Sequence, residues 1–584
     1  MTTLLNVLSV LGGLAMFLYG MALMSEGLQK TAGDRLRAFM AKMTSNAFKR
    51  VLTGTVVTCL VQSSSATTIM VVSFVNAGLL TLGNAIGVIM GANIGTTLTA
   101  WITSLGFSVN IALFAVPMMA FGYLMHCSKK SAMKNLGQFL MGFAIMYVGL
   151  TFMKDCANAV LGEYQTGMMS FFGSINGFGF GSILLFLIAG AVLTIVLQAS
   201  SATMAITMLL AASGLIDFKL AVAMVLGENI GTTITANIAA AVGNSSAKRA
   251  ALAHTVFNLF GVIWALALFP FFLKLIGVIT AGIFGIPNPA AEGFEVIVEK
   301  GVQTDTQTSA LYGLSMLHTL FNTINTFILI WFVPMIEKIV CAVIKDSPNK
   351  EEEAFRLKYI SAGPLATPEL ATEQAFDEII HFAQISRNGL GYTRAAIAET
   401  DPDKFEELRA KLVKYEEISD RIEYEIATFL NAVSAGDISR ETSTKIKAMY
   451  KIIGELESLG DSGESISRIL SRRNIHKKTF DQDTVKKLED MIAAVDNAYS
   501  AMIANLNAAH KGELEEISNA CNAEDRINNL RNYLREAEIE DIETNGKNYQ
   551  TSVYYMDIVN ELEKMGDFMI NISQDLERAF SRHL

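Results

Sequence analysis

The sequence is short of nearly everything a soluble enzyme relies on. Charged residues make up only 17% of its 584 positions, and mean hydropathy is +0.37, too apolar for an ordinary water-soluble domain of this length. The cysteines (Cys59, Cys127, Cys156, Cys341 and Cys521) form no CxxC pair, so neither a zinc ribbon nor a disulfide framework is indicated. No GxSxG, HExxH or Walker sequence occurs, and the serine clusters have no Lys or His nearby in sequence; an enzyme is not expected, and uphill movement of a solute needs an ion gradient rather than a nucleotide. A net charge of −10 without any basic–aromatic strip excludes nucleic acid as a partner. No Lys or Arg precedes the first apolar stretch, which suits a first membrane helix better than a signal peptide.

What charge there is falls unevenly. Residues 1–350 hold 18 Lys/Arg and 12 Asp/Glu, a net of +6, whereas residues 351–584 hold 28 and 44, a net of −16. The first part reads as a lipid-embedded domain (1–345), the second as a water-exposed one (369–584), with a charged, proline-bearing linker at 346–368. A spanning helix needs about 20 apolar residues. Full crossings are expected at 4–24, 79–104, 110–126, 136–154, 217–242, 250–272 and, as an extra helix, 311–336. The stretches 51–77 and 182–213 carry polar centres at Gln62–Thr68 and Gln198–Thr203 and read as re-entrant hairpins, since irregular backbone at membrane depth needs protein or a watery cavity around it. With the N-terminus outside, loops 25–50, 127–135 and 243–249 and the start of the tail collect 14 of the 18 basic residues on the inner side, leaving Lys154, Lys219, Lys274 and Lys300 outside. That orientation implies a multi-pass protein of the cell inner (plasma) membrane with its acidic C-terminal domain in the cytoplasm.

The membrane part repeats itself. QSSSAT (62–67) matches QASSAT (198–203), and GANIGTTLTA (91–100) matches GENIGTTITA (227–236), at one offset of 136 residues; 16 of 39 aligned positions are identical. GLAMFLYGMALM (13–24) weakly resembles GFAIMYVGLTFM (142–153). Each unit (about 4–126 and 136–272) is crossing, hairpin, crossing, crossing. Three crossings per unit is odd, so the second copy is expected upside down, the inverted-repeat plan of secondary transporters with a site near the midplane. Packing duplicates would keep Gly, Ala and Leu; these keep Gln, Ser, Thr and Asn, which are costly to bury in lipid unless paired.

A helix broken at a hairpin tip frees backbone N–H groups and a positive dipole end for an oxyanion. Ser63, Ser64, Ser65, Ser200, Ser201 and Thr203 are the candidate substrate ligands. Gln62 and Gln198 either brace the tips or coordinate a cation. Asn93, Thr96, Asn229 and Thr232, with Thr97 and Thr233, offer neutral oxygens suited to a hard monovalent ion; for the threonines, plain interhelical hydrogen bonding competes. Glu228, opposite Ala92 in the other copy, is a carboxylate inside a crossing and a candidate cation or proton ligand, or else the partner of a buried donor such as His254. A second echo, AHTVFN (253–258) and LHTLFN (317–322), has an offset of 64 that the main repeat does not explain; His254 and His318 read as satisfied packing residues.

On Gln62-Ser63-Ser64-Ser65, Gln198-Ala199-Ser200-Ser201 and the two GxNIGTT stretches, residues 1–345 resemble the type II sodium–phosphate cotransporter family. The resemblance implies sodium coupling, inorganic phosphate as substrate and alternating access. Ala199 departs from the family's QSSS.

The C-terminal half reads as six helices, 369–398, 402–434, 438–472, 481–509, 513–544 and 548–580, arranged as two three-helix bundles and punctuated early by Pro402 and Gly436; Phe376, Ile379, Ile380 and Ala383 have amphipathic spacing. The expected fold is therefore all-α throughout. Carboxylates recur four residues apart as Glu416/Asp420, Glu457/Asp461 and Glu563/Asp567, with Glu524/Asn528 a fourth copy that has lost one acid. Such pairs share a helix face, and facing pairs form either a site for divalent metal or a solvated acidic face. This half resembles the PhoU family of phosphate-signalling proteins, which implies metal clusters at ExxxD motifs and cytoplasmic signalling partners. A homo-oligomer is a further expected assembly. The competing reading is a membrane phosphate sensor, or a sodium-coupled carrier of another small anion.

Overall fold

The computed structural model describes the chain except residues 1, 43–45, 77–79, 109–111, 177, 242, 300–301, 346–356, 358, 361–367, 436–437 and 581–584; for 2–4, 6–7, 31–42, 112–113, 131, 158, 160–174, 176, 370 and 545 only the backbone is described. Most of the expected linker at 346–368, and Gly436, lie outside the described residues. Among the described residues there is helix and no strand beyond one isolated bridge, Glu299 to Val302. The chain divides into two compact units, Met1–Pro348 and Asn349–Leu584.

In the first unit the helices are α1 (Thr2–Lys42), α2 (Ala47–Val61), α3 (Ser64–Asn76), α4 (Leu82–Ser108), α5 (Ala112–His126), α6 (Ser131–Asn176), α7 (Phe180–Leu197), α8 (Ser200–Ala212), α9 (Phe218–Gly231), α10 (Thr233–Ala240), α11 (Ser245–Ala267), α12 (Phe269–Phe284), α13 (Asp305–Leu329) and, after a short 3-10 turn, α14 (Val333–Val343). Large apolar side chains such as Phe121, Val196, Phe271 and Trp331 stand exposed, an arrangement that water disfavours and lipid does not. Among the described residues, six stretches are long and apolar enough to cross a membrane: Leu8–Lys30, Leu82–Ser108, Ala132–Ala157, Phe180–Leu197, Ser245–Ala267 and Asp305–Val343.

Several expected boundaries move. The crossing at 217–242 is divided at Thr232, inside the second GxNIGTT stretch, whereas its counterpart α4 runs through unbroken. The crossing at 250–272 stops at Leu268, because Pro270 cannot donate the next helical bond; α12 starts there and runs on to Phe284. Within the stretch 110–126 the described helix is α5, 15 residues with Pro117 inside it. α7 alone is 18 residues and strongly apolar, longer than half a hairpin requires.

Close backbone contact fixes the packing. Gly13, Gly20 and Gly27 on α1 lie against Met153, Met146 and Phe139 on α6, where a Cβ would come within 2.8, 2.3 and 2.6 Å of the facing backbone nitrogens. One partner number rises as the other falls, so α1 and α6 are antiparallel. These two helices carry the weakly matched GLAMFLYGMALM and GFAIMYVGLTFM segments.

The second unit holds α15 (Pro368–Ala398), α16 (Pro402–Ser434), α17 (Arg440–Ile475), α18 (Gln482–His510), α19 (Ser518–Asn545) and α20 (Tyr549–Phe580). Side-chain caps start four of them: Asp401 before α16, Ser439 before α17, Asp481 before α18 and Asn548 before α20. α15–α17 pack together, as do α18–α20, but α17 also packs on α20 and α15 on α18. The apolar faces, with Phe376, Met449, Leu456, Tyr499, Tyr555 and Leu562 at 0–1% exposure, merge into one core. Two triplets therefore make one six-helix body.

Candidate functional site

Both polar tips break the chain in the same way. α2 ends at Gln62 (φ 53°, ψ 21°) and α7 at Gln198 (φ 51°, ψ 23°), each in the left-handed region. Among the described residues only Lys477 joins them as a non-glycine at positive φ, a conformation uncommon enough in L-residues to need support from its surroundings. After one intervening residue, Ser63 or Ala199, α3 and α8 begin, with Ser64 and Ser65, and Ser200 and Ser201, in their first turns. Inside each hairpin a threonine pair staples the halves: Thr58 donates to Thr67 at 3.0 Å and Thr194 to Thr203 at 2.9 Å. Thr203 is fully buried as one half of this staple, and its partner Thr194 was not singled out by the sequence.

The long helix of each repeat packs on its own first half-hairpin at glycine. A Cβ on Gly54 or Gly91 would fall 1.9 Å from the carbonyl oxygens of Val88 and Val51; one on Gly190 or Gly227 would fall 2.1 and 1.9 Å from those of Met224 and Leu187. Every residue in the second set is 136 positions after one in the first. The second half-helices cross over: α3 packs on α10 and α11 of the later repeat, and α8 on α4 of the earlier one and on α13. Thr96 and Thr232 each donate back to a carbonyl four residues earlier, at 3.1 and 2.9 Å, which leaves their oxygen lone pairs as the available function.

The tips differ in closure. Gln62 is buried, accepts from Thr99 Oγ1 at 3.1 Å and donates to the Cys59 carbonyl at 2.5 Å; it braces. Gln198 is exposed, and Thr235, the counterpart of Thr99, donates to the Thr232 carbonyl instead. Ser63 Oγ caps α3 by accepting from Ala66 N at 3.2 Å, while Ala199 leaves α8 without a side-chain cap. The first-turn N–H groups of α8 remain free for a ligand.

Asn93 Nδ2 donates to Asn258 Oδ1 at 3.0 Å, and His254 Nε2 donates to Asn93 Oδ1 at 3.3 Å. His254 is therefore the partner of Asn93, and the pairing of His254 with Glu228 does not occur. Asn229 turns its amide to its own helix, donating to the Val225 carbonyl at 2.8 Å. Glu228 is 1% exposed, and its Oε2 has no hydrogen-bond partner among the described residues.

In the second unit, ligand oxygens of Glu416, Asp420 and Asp461 lie within 4.8 Å of one another. Burial, then repulsion from neighbouring carboxylates with Asp420 foremost, raises the Glu416 carboxyl above its ordinary range; burial, then Asp461 and Asp420, does the same to Glu457. Glu457 stands outside the trio. In the later copy burial, then Asp567, raises the Glu563 carboxyl, but Arg531 bridges it at 3.0 Å and Asn528 donates to Glu524 at 2.5 Å.

The Na+/Pi-cotransporter family matches residues 16–155 and 180–286. YjbB of Escherichia coli (strain K12), provisionally named an inorganic phosphate export protein, is 23% identical over 579 residues, 98% of this chain and 97% of its own length. The uncharacterized protein YqeW of Bacillus subtilis (strain 168) is 32% identical over 246 residues, covering 42% of this chain and 77% of the relative. Sodium-dependent phosphate transport protein 2A of Rattus norvegicus is 41% identical over 108 residues, 18% of this chain and 17% of its own. No solved structure gives a significant match. The apolar helices are those of a multi-pass membrane protein, the relatives are transporters rather than enzymes, and the chain belongs to the Na+/Pi-cotransporter family.

Proposed function

We propose that the chain moves inorganic phosphate across the cell inner membrane in symport with sodium, and that its C-terminal unit is a cytoplasmic, PhoU-like regulatory domain. One observation carries this reading: two helix breaks at matched glutamines with the same dihedral angles, each followed by a serine-bearing helix N-terminus. The tips contain no Lys or Arg. Donors without fixed positive charge bind a dianion loosely enough to release it. Sodium at the GxNIGTT oxygens then supplies the missing charge, and this makes ion and substrate binding interdependent.

The re-entrant, inverted arrangement is part of the proposal. Antiparallel α1 and α6 and the crossed packing of α3 and α8 support it, since a repeat related by a two-fold axis in the membrane plane reverses direction. Ser63, Ser64, Ser65, Ser200 and Ser201 contact phosphate; Asn93, Thr96, Asn229, Thr232 and Glu228 serve sodium, with Gln198 beside them. In the regulatory domain Glu416, Asp420 and Asp461 take a divalent cation.

Labelled-phosphate flux in proteoliposomes, with and without a sodium gradient, is the test. Flux that follows the sodium gradient supports symport. Flux indifferent to sodium points to the export reading that the name of YjbB suggests, and absence of flux to a sensor.

A further inference from the structure

The 64-residue echo acquires a physical meaning once hydrogen bonds are compared across the repeat. Trp101 Nε1 donates to Thr319 Oγ1 at 3.0 Å, and Asn237 Nδ2 donates to Thr255 Oγ1 at 2.8 Å. Positions 101 and 237 are related by the 136-residue repeat, and 255 and 319 by the 64-residue echo. Likewise α11 packs on α3, and α13 on α8. The operation that exchanges the two repeats therefore also exchanges α11 with α13, and His254 and Asn258 with His318 and Asn322; α11 is then the counterpart of α13 and not of α5, which the expected unit bounds of 4–126 and 136–272 would have paired with it.

The two helices make the same internal bonds. Asn258 Nδ2 donates to the His254 carbonyl at 3.2 Å and Asn322 Nδ2 to the His318 carbonyl at 2.9 Å. Holding the NH2 group on the backbone leaves each amide oxygen facing away as a pure acceptor. In the first clamp that acceptor is filled, because Asn93 Nδ2 donates to Asn258 Oδ1. In the second, Asn229 has given its NH2 group to Val225. Asn322 Oδ1 is then left buried without a partner, in a residue 0% exposed, and His318 Nδ1, 2% exposed, also lacks one. A buried oxygen of this kind costs about 1–3 kcal/mol unless something fills it. The preceding residue on α9 is Glu228, buried with Oε2 unpartnered, where the first clamp has Ala92.

We infer that the second clamp is a monovalent-cation site to which α13 contributes Asn322 Oδ1 and α9, which packs on α13, contributes Asn229 Oδ1 and the compensating charge of Glu228, with His318 positioning Asn322. The first clamp closes on itself: the NH2 group of Asn93 occupies the place the cation takes in the second. Duplicated motifs thus yield one such ion site, not two. The assignment rests on the sodium reading above and names residues on α13 that lie outside the matched repeat.

The experiment uses the full chain in detergent and in proteoliposomes. Asn322→Leu removes the oxygen at similar volume; Asn322→Ser keeps a shorter one; Thr319→Val is the packing control on the same helix. The first readout is sodium-induced thermal stabilisation without phosphate, the second the sodium concentration giving half-maximal phosphate flux. Asn322→Leu is expected to raise both sodium half-saturation values about tenfold or more, the loss of one direct ligand, with phosphate KM at saturating sodium little changed. Asn322→Ser should fall between it and wild type, and Thr319→Val should match wild type; if Asn322→Leu does not fold, the serine variant carries the test. Unaltered sodium response in the Asn322 variants, or an equal shift in Thr319→Val, overturns the assignment while leaving sodium symport intact. A wild-type chain that neither is stabilised by sodium nor couples to it fails at the earlier reading instead.

Discussion

Thr58 bonds Thr67 in the first repeat as Thr194 bonds Thr203 in the second; Gly91 meets Val51 as Gly227 meets Leu187. The symmetry ends at particular side chains. Gln62 is buried and doubly bonded, Gln198 exposed; α3 is capped by Ser63, α8 by no side chain; Asn93 is held by α11, whereas Asn229 folds back on α9. Backbone contacts that define the repeat are thus kept in both copies. Polar groups that can meet a ligand are closed in one copy and open in the other. A carrier that exposes its site alternately needs two half-sites able to exchange such states, and two copies of one sequence with unequal bonding supply them.

The equivalence breaks first, and most severely, at the helix contacts. Gly91→Val and Gly227→Val each place a Cβ 1.9 Å from a carbonyl oxygen, an overlap that cannot be relieved by rotating a side chain and that exceeds the about 1–3 kcal/mol of ordinary overpacking. Both variants are expected to lose folded protein, scored as monodisperse yield after solubilisation. Gly12→Val, with nothing within 4 Å of its Cβ position, should behave as wild type. Tolerance in one repeat alone would show that the two contacts are not equivalent.

The open tip predicts a functional asymmetry. Ser201→Ala removes a hydroxyl from the uncapped helix, and a lost charge-assisted hydrogen bond is worth about 1.5–3 kcal/mol, roughly tenfold to over a hundredfold in phosphate affinity. Ser64→Ala should weaken affinity in the same direction and less, because Ser64 is already buried at 4% exposure beside a capped tip. Phosphate KM at saturating sodium decides it; a larger effect from Ser64 would reverse the assignment of which tip is open.

The glutamines divide along the same line. Gln62→Ala leaves the Thr99 hydroxyl without its acceptor in a buried place and should cost about 1–3 kcal/mol of stability. Gln198→Ala removes an exposed side chain and should leave thermal unfolding unchanged while altering transport. Equal losses of melting temperature would mean that Gln198 is bonded much as Gln62 is.

How much of this was legible follows from what kind of signal each feature leaves. The repeat, the hairpin breaks and the six C-terminal helices are written in identity at fixed offset and in apolar periodicity, and the helix ends fall within a few residues of expectation, α16 at Pro402–Ser434 among them. Helix interruptions at Thr232 and Leu268 were missed because hydropathy does not register a broken hydrogen-bond ladder, although Pro270 was a visible cue. The union of the two C-terminal triplets into one core depends on α17 facing α20, which periodicity within one helix cannot reveal. The echo at His254 and His318 was visible as a motif and lacked an explanation, because its symmetry operation exchanges helices rather than shifting along the chain. Closure of one clamp and not the other has no sequence signature beyond Ala92 opposite Glu228.

The second unit carries the smallest expected effect and repeats the lesson in water. In its first acidic copy burial, together with facing carboxylates, outweighs the nearby Arg468 and raises Glu416, Glu457 and Asp461 above their ordinary values. A carboxyl raised in the folded state contributes stability that is complete below its unfolded value and is lost as pH climbs through the folded one. At pH about 7.5 the cluster therefore opposes folding, and near pH 4 it does not. Asp420→Asn removes one of the repelling charges and should raise the thermal stability of the chain at the higher pH, with the gain vanishing at the lower. Asn528→Asp, beside an Arg531 that already holds Glu563 at 3.0 Å, should change little at either. Divalent cations add a second axis, since a bound ion neutralises what protonation otherwise must. Manganese or magnesium should stabilise wild type at neutral pH and stabilise Asp420→Asn less. If wild type ignores these ions while Asp420→Asn still shows its pH-dependent gain, the acids form a strained, solvated face and no metal site. If Asp420→Asn shows no gain at any pH, the three carboxylates are too well screened to act on one another, and the contrast between the two copies has no energetic content.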